Sequence, residues 1–158
     1  MDKVSEIVVE LRTSYAAEIE IIEDYLANTI NLEGAGAEAI KNLFNEEIQT
    51  ALGHARRLAK RIKALEGRVP GSRELSRVQT GSRPPANIDN SDVALHDAIK
   101  SEDAAIARYE RIIRLCDGHD FVTLDLVIEL LVDERERRQR LVELAVGRKP
   151  DSVSAESA

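Results

Sequence analysis

The stretch Glu-Ile-Glu-Ile-Ile-Glu-Asp-Tyr (18–25) returns in altered form as Glu-Asp-Ala-Ala-Ile-Ala-Arg-Tyr (102–109). In both, a glutamate is followed by isoleucine four residues on (Ile22, Ile106) and tyrosine seven residues on (Tyr25, Tyr109). Steps of four and seven hold side chains on one side of an α-helix, whereas a strand would alternate them. The repeat makes Glu18 and Glu102 equivalent positions, one in each half of the chain. The halves therefore read as two similar helical hairpins.

Working outward, the first helix spans about 3–31, with Leu11, Tyr15, Ile22 and Tyr25 on its inner stripe. Leu32-Glu33-Gly34-Ala35-Gly36 interrupts it, because paired glycines have poor helix propensity, and so short a turn returns the next helix antiparallel. The second helix covers about 37–66, with Ile40, Phe44, Ala51, Leu58, Ile62 and Leu65 inside and Gly67 as its stop. From 67 to 90 no periodicity survives, and Pro70, Gly71, Gly81, Pro84 and Pro85 mark a long connection with one short helical turn near 73–78. Two dozen residues reach ~75 Å when extended, enough to run the length of a bundle. A third helix starts at the capping residue Ser91, carries Leu95, Ile99, Ile106, Tyr109, Ile113 and Cys116 inside, and ends at Gly118. A fourth runs over about 120–146 with Val127, Leu130, Leu141 and Leu144 inside. Two short-looped hairpins joined by one long crossover predict an all-α four-helix bundle in up-down-down-up order over 1–147, followed by a small, polar, disordered tail at 148–158.

Composition agrees. The 158 residues suit one domain, and with no Trp, two Phe and three Tyr the core must be aliphatic, which favours close helix packing over a sheet. A net charge of -7 opposes nucleic acid, which demands a cationic face. The arginine clusters at 56–61 and 135–140 are interleaved with acids or lie on a helix flank. One cysteine, Cys116, permits neither an internal disulfide nor a thiolate zinc site. No apolar run approaches the ~20 residues that span a bilayer. A soluble, cytoplasmic protein that binds neither nucleic acid nor membrane is expected.

The inner stripes also carry charge: Glu18, Glu47, His54, Glu102, Glu134 and Arg137. An unpaired carboxylate in a core is strongly penalised, so something must neutralise these groups.

The stretches 18–25, Leu-Gly-His-Ala-Arg-Arg-Leu-Ala (52–59) and Ile-Glu-Leu-Leu-Val-Asp-Glu-Arg (128–135) resemble the bacterioferritin and rubrerythrin-like branch of the ferritin superfamily, over nearly all of 5–146. The resemblance implies a ferritin-like bundle with two irons, held by one Glu from the first and third helices and a Glu-x-x-His from the second and fourth. Carried over, the ligands fall on Glu18, position 51, His54, Glu102, Glu134 and position 137. Ala51 and Arg137 occupy two of these, so the first metal position keeps Glu18, His54 and Glu134, while the second keeps Glu102 and the shared Glu134.

One histidine and two carboxylates suit a hard divalent ion such as Fe(II) or Mn(II), one per chain. Arg137, on the same face as Glu134, has the reach to place its guanidinium where a second ion would sit. Glu47 is a weak substitute for the lost bridging carboxylate, because the seven residues to His54 are ~10 Å of rise. The resemblance gives the equivalent of Tyr25 a part in electron transfer; the simpler reading is a core aromatic whose hydroxyl bonds a buried carboxylate, as for Tyr15 and Tyr109. His96 and His119 fall outside the site. Haem held by a methionine of the second helix is excluded, since that position is Leu52 and Met1 is the sole methionine. Two functions follow: a metal-binding protein with ferroxidase-type iron oxidation, or a metal-free bundle with a structural ion-pair core that serves as a dimerisation or interaction protein. Either is expected to form a homodimer or larger homo-oligomer.

Overall fold

The computed structural model describes residues 1–78 and 91–148, and helix is the regular structure among them. The elements are α1 (Lys3–Asn31), α2 (Ala37–Ala64), α3 (Ser91–Cys116) and α4 (Phe121–Gly147). The side chain of Asp2 caps α1 by accepting from the Ser5 amide at 2.8 Å, and Asp120 caps α4 by accepting from the Thr123 amide at 3.0 Å. Gly36, at φ 81°, supplies the left-handed residue that turns the chain into α2.

Tyr25 meets Glu102 while Tyr109 meets Glu18, so α1 and α3 run antiparallel. Arg61 with Asp120, Arg57 with Glu129 and Arg140 with Glu47 set α2 antiparallel to α4. With short turns inside each hairpin, the order is up-down-down-up. The seam between α2 and α4 is thus closed largely by charged pairs, in contrast to the apolar interiors of the hairpins.

The core has two apolar clusters with the charged residues between them. One gathers Ile21, Tyr25, Phe44, Leu95 and Leu141; the other gathers Leu11, Leu58, Ile62, Tyr109 and Leu130. Tyr25 stacks on Phe44 with centroids 4.3 Å apart and planes 4° from parallel.

Several expectations need correction. On α1 the buried line is Ile7, Leu11, Ser14, Glu18, Ile21 and Tyr25, while Tyr15 and Ile22 are only half-buried. On α3 the line passes through Ala98, Glu102, Ala105 and Ile112, with Ile99, Ile106 and Ile113 on its flank. Leu11, Tyr25, Leu95, Tyr109 and Cys116 are buried as expected, but small residues take the narrow centre where helices approach closely and branched side chains fill the sides, so apolarity alone misplaced the rest. Leu65 and Leu144 are likewise half-buried.

The second helix also stops earlier than expected. Leu65 is its C-cap, and Glu66 rather than Gly67 adopts the left-handed conformation, at φ 61°. Gly67 matters for another reason: its amide donates to the Ile62 carbonyl at 2.9 Å, and a Cβ there would lie 2.9 Å from that oxygen, Ile62 Cγ2 and Val8 Cγ1. The short helical turn expected at 73–78 is a single turn closing on Gly71, which accepts from the amides of Glu74 (2.9 Å) and Leu75 (3.1 Å). The remainder of the connection (79–90) and the tail expected to be disordered (149–158) lie outside the described residues.

Candidate metal centre

Four glutamates reach the bundle interior, and none is more than 1% exposed: Glu18, Glu47, Glu102 and Glu134. Facing them are His54 and Arg137, also buried. Helical spacing places them, one face of each helix turning its charged residue into the gap between the apolar clusters.

Glu18, His54 and Glu134 come together from three helices, each offering a ligand atom, and these atoms all lie within 4.8 Å of one another. His54 Nδ1 is 2.9 Å from Glu134 Oε1 and 3.5 Å from Glu18 Oε1. On its other edge, Nε2 is 2.9 Å from Asp133 Oδ2. Asp133 accepts from Nε2–H, and one proton serves the Nδ1–Glu134 contact: His54 carries it when Glu134 is ionised, and Glu134 donates it when the ring is neutral. Burial alone would lower its pKa, but hydrogen bonds and charge from Glu134 and Glu18 push it up to about 10.

The carboxylates respond unequally. Burial and then the Glu18 charge push Glu134 well above its ordinary value. Burial also opposes ionisation of Glu18, but the hydrogen bond and charge of His54 outweigh it and hold Glu18 low. Tyr109 donates to Glu18 Oε1 at 2.6 Å, and Tyr25 donates to Glu102 Oε1 at 2.7 Å. Each tyrosine therefore holds the glutamate of the other hairpin, the role read from the sequence for core aromatics; Tyr15 makes no such bond among the described residues.

At the second position the guanidinium of Arg137 stands among three carboxylates. Its Nε is 2.6 Å from Glu47 Oε2, and its NH1 is 3.3 Å from Glu102 Oε1 and 3.5 Å from Glu134 Oε2. Burial works against this charge, yet Glu102, Glu134 and Glu18 outweigh it and raise its pKa further. Glu47 is engaged on its other oxygen by Arg140. Ala51 is fully buried in the apolar cluster beside Phe44.

The donor set fits a divalent ion. Glu18 Oε2 and Glu102 Oε2 are buried with no hydrogen-bond partner, which is costly for a carboxylate unless a cation or water answers it; Glu134 Oε2 has the Arg137 guanidinium at 3.5 Å. Nδ1 points at the two carboxylates while Nε2 is fixed by Asp133, the arrangement in which a histidine presents one nitrogen to a metal and has its ring oriented through the other. Asp133 was not identified from the sequence. Its only signal there was adjacency to Glu134, one residue along and so aimed across the α2–α4 seam rather than into the core.

A model of the ferritin-like domain matches residues 9–146. The chain belongs to the ferritin-like family. No curated protein sequence matches this ferritin-like chain. Among solved structures, it is similar to the dodecameric thioferritin, or bacterioferritin-related protein, of Bacteroides fragilis (28% identity, TM-score 0.83, covering 92% of this chain and 87% of that one). It is also similar to a ferritin-like diiron-carboxylate protein of Bacillus anthracis (25%, 0.78, 92% and 99%). The bacterioferritin of Desulfovibrio desulfuricans, whose structure describes a diiron site, shares the fold (21%, 0.75, 92% and 81%). No helix among the described residues of this family member is long and apolar enough to cross a membrane.

Proposed function

We propose that this ferritin-like protein holds one divalent ion, Fe(II) or Mn(II), on Glu18, His54 and Glu134, and that Fe(II) bound there is a substrate that loses an electron to dioxygen. The observation that carries this reading is the convergence of three ligand atoms within 4.8 Å, with the second oxygen of Glu18 buried and without a hydrogen-bond partner. When bound, the ion supplies a redox-active or Lewis-acidic cation. The chain's own residues orient and confine it: Asp133 aligns the His54 ring, Tyr109 holds Glu18, and the apolar clusters on either side exclude bulk water. Glu102 contributes negative charge one position away, held by Tyr25 and Arg137.

Metal content after purification without chelator, together with an Fe(II) oxidation trace in air, tests the proposal. It predicts one ion per chain and oxidation faster than buffer, both lost in His54→Ala. Protein that stays metal-free with excess Fe(II) or Mn(II) sinks it.

A second reading draws support from the contacts these residues make with one another: His54 between Glu134 and Asp133, and buried Arg137 in ion pairs with its carboxylates, form a charged core held without metal. The same titration decides between the two. Tyr25 enters as the redox-competent side chain beside the site. Tyr25→Phe is expected to slow oxidation without weakening metal binding, whereas Tyr109→Phe, which frees the proposed ligand Glu18, is expected to weaken metal binding. The B. fragilis relative is described as dodecameric, which supports reading this chain as a homo-oligomer, dimer or larger. Sedimentation velocity measures this directly, and cell fractionation tests the cytoplasmic assignment.

A further inference from the structure

The two hairpins repeat each other at Glu18 and Glu102 and at Tyr25 and Tyr109, but the repeat fails on the other two helices. His54 on α2 corresponds to Arg137 on α4, and Glu134 on α4 to Ala51 on α2. Glu47 breaks the repeat in the opposite sense: its counterpart is the core residue Leu130, so a carboxylate stands where the other hairpin is apolar. These three departures meet in space. Arg137 Nε lies 2.6 Å from Glu47 Oε2, and its NH1 faces Glu102 and Glu134.

We infer that Glu47 and Arg137 form a built-in second cation with its own carboxylate, which closes the second metal position and limits the chain to one ion. The inference rests on the metal-binding reading above. A guanidinium is longer than an imidazole and carries its charge at the tip, so its partner belongs further along α2 than position 51. Glu47 is one turn away from Ala51, ~5.4 Å along the axis. Alanine at 51 removes a carboxylate that would leave the site with more negative charge than the guanidinium can balance. Arg140 binds the remaining oxygen of Glu47, so that carboxylate is held by two guanidinium groups rather than offered to an ion. Glu47 is thus a positioning residue for Arg137, and Arg137 determines the stoichiometry.

Equilibrium titration with Mn(II), with free ion followed by electron paramagnetic resonance, tests this on the full chain. Wild type is expected to bind one Mn(II) and Arg137→Ala two, the second answering Glu47, Glu102 and Glu134. Folded Arg137→Ala that still binds one ion overturns the inference. Where Arg137→Ala does not fold, Ala51→Glu with Arg137→His supplies both missing ligands and must bind two; one ion there overturns the inference equally. Glu47→Gln is expected to lower affinity for the first ion less than threefold while lowering the melting temperature. A loss of tenfold or more would make Glu47 a ligand and contradict its assigned role. No ion in wild type or in any variant instead overturns the metal reading itself.

Discussion

At the scale of single residues, the metal-binding proposal turns on His54, because Glu134 and Glu18 favour a proton on Nδ1 that an ion bound there would have to replace. Its pKa is raised to about 10 in the fold, so protonation favours the folded state. That stabilisation is complete below the unfolded value near 6.5 and is lost as pH climbs towards 10. Thermal melts of chelator-stripped wild type and His54→Gln are therefore expected to differ most at pH 6 to 7 and to converge near pH 10. An ion that takes Nδ1 must displace its proton, so affinity should rise with pH, and calorimetry in buffers of different ionisation enthalpy should register proton release on binding. Asp133→Asn, which keeps the shape but weakens the hold on Nε2, is expected to cost roughly 10- to 100-fold in metal affinity, read by competition with a chelating dye. Glu18, His54, Glu102, Glu134 and Arg137 were legible in the sequence because a charged residue on an apolar stripe is conspicuous. The role of Asp133 was not, because it lies half-exposed on the flank of its helix. The engagement of Glu47 by Arg137 was hidden too: helix rise measures separation along one helix and says nothing about how far an arginine reaches across from another.

Among the elements, the pairing of helices was readable from loop length and from the repeat at 18–25 and 102–109, and all four helices lie within two residues of their expected limits. What periodicity could not reveal was the tightness of each contact. Ala98 and Ala105, rather than the neighbouring isoleucines, line the centre of α3, where close packing leaves room for small side chains. Gly67 shows the same limit, since its value lies in close approach to Ile62 and Val8 and not in a left-handed backbone. Gly67→Ala should destabilise the fold by about 1–3 kcal/mol, the usual cost of overpacking, measured by urea denaturation with an unchanged m-value. Leu58→Ala, in the cluster below the site, should cost about 2–5 kcal/mol in the same assay.

For the whole molecule, the four helices hold two apolar clusters apart and enclose a charged layer between them. The proposal rests on its asymmetry: one half brings Glu18, His54 and Glu134 together, and the other carries Arg137 at the position equivalent to His54. A ferritin-like fold does not by itself confer iron storage, because function belongs to the site that the fold carries. The direct test is anomalous diffraction at the manganese edge from crystals soaked in Mn(II). A single peak bounded by Glu18, His54 and Glu134, with Arg137 still between Glu47 and Glu102, is the predicted result. An absence of any peak in the bundle, or a peak in place of the Arg137 guanidinium, would contradict the account.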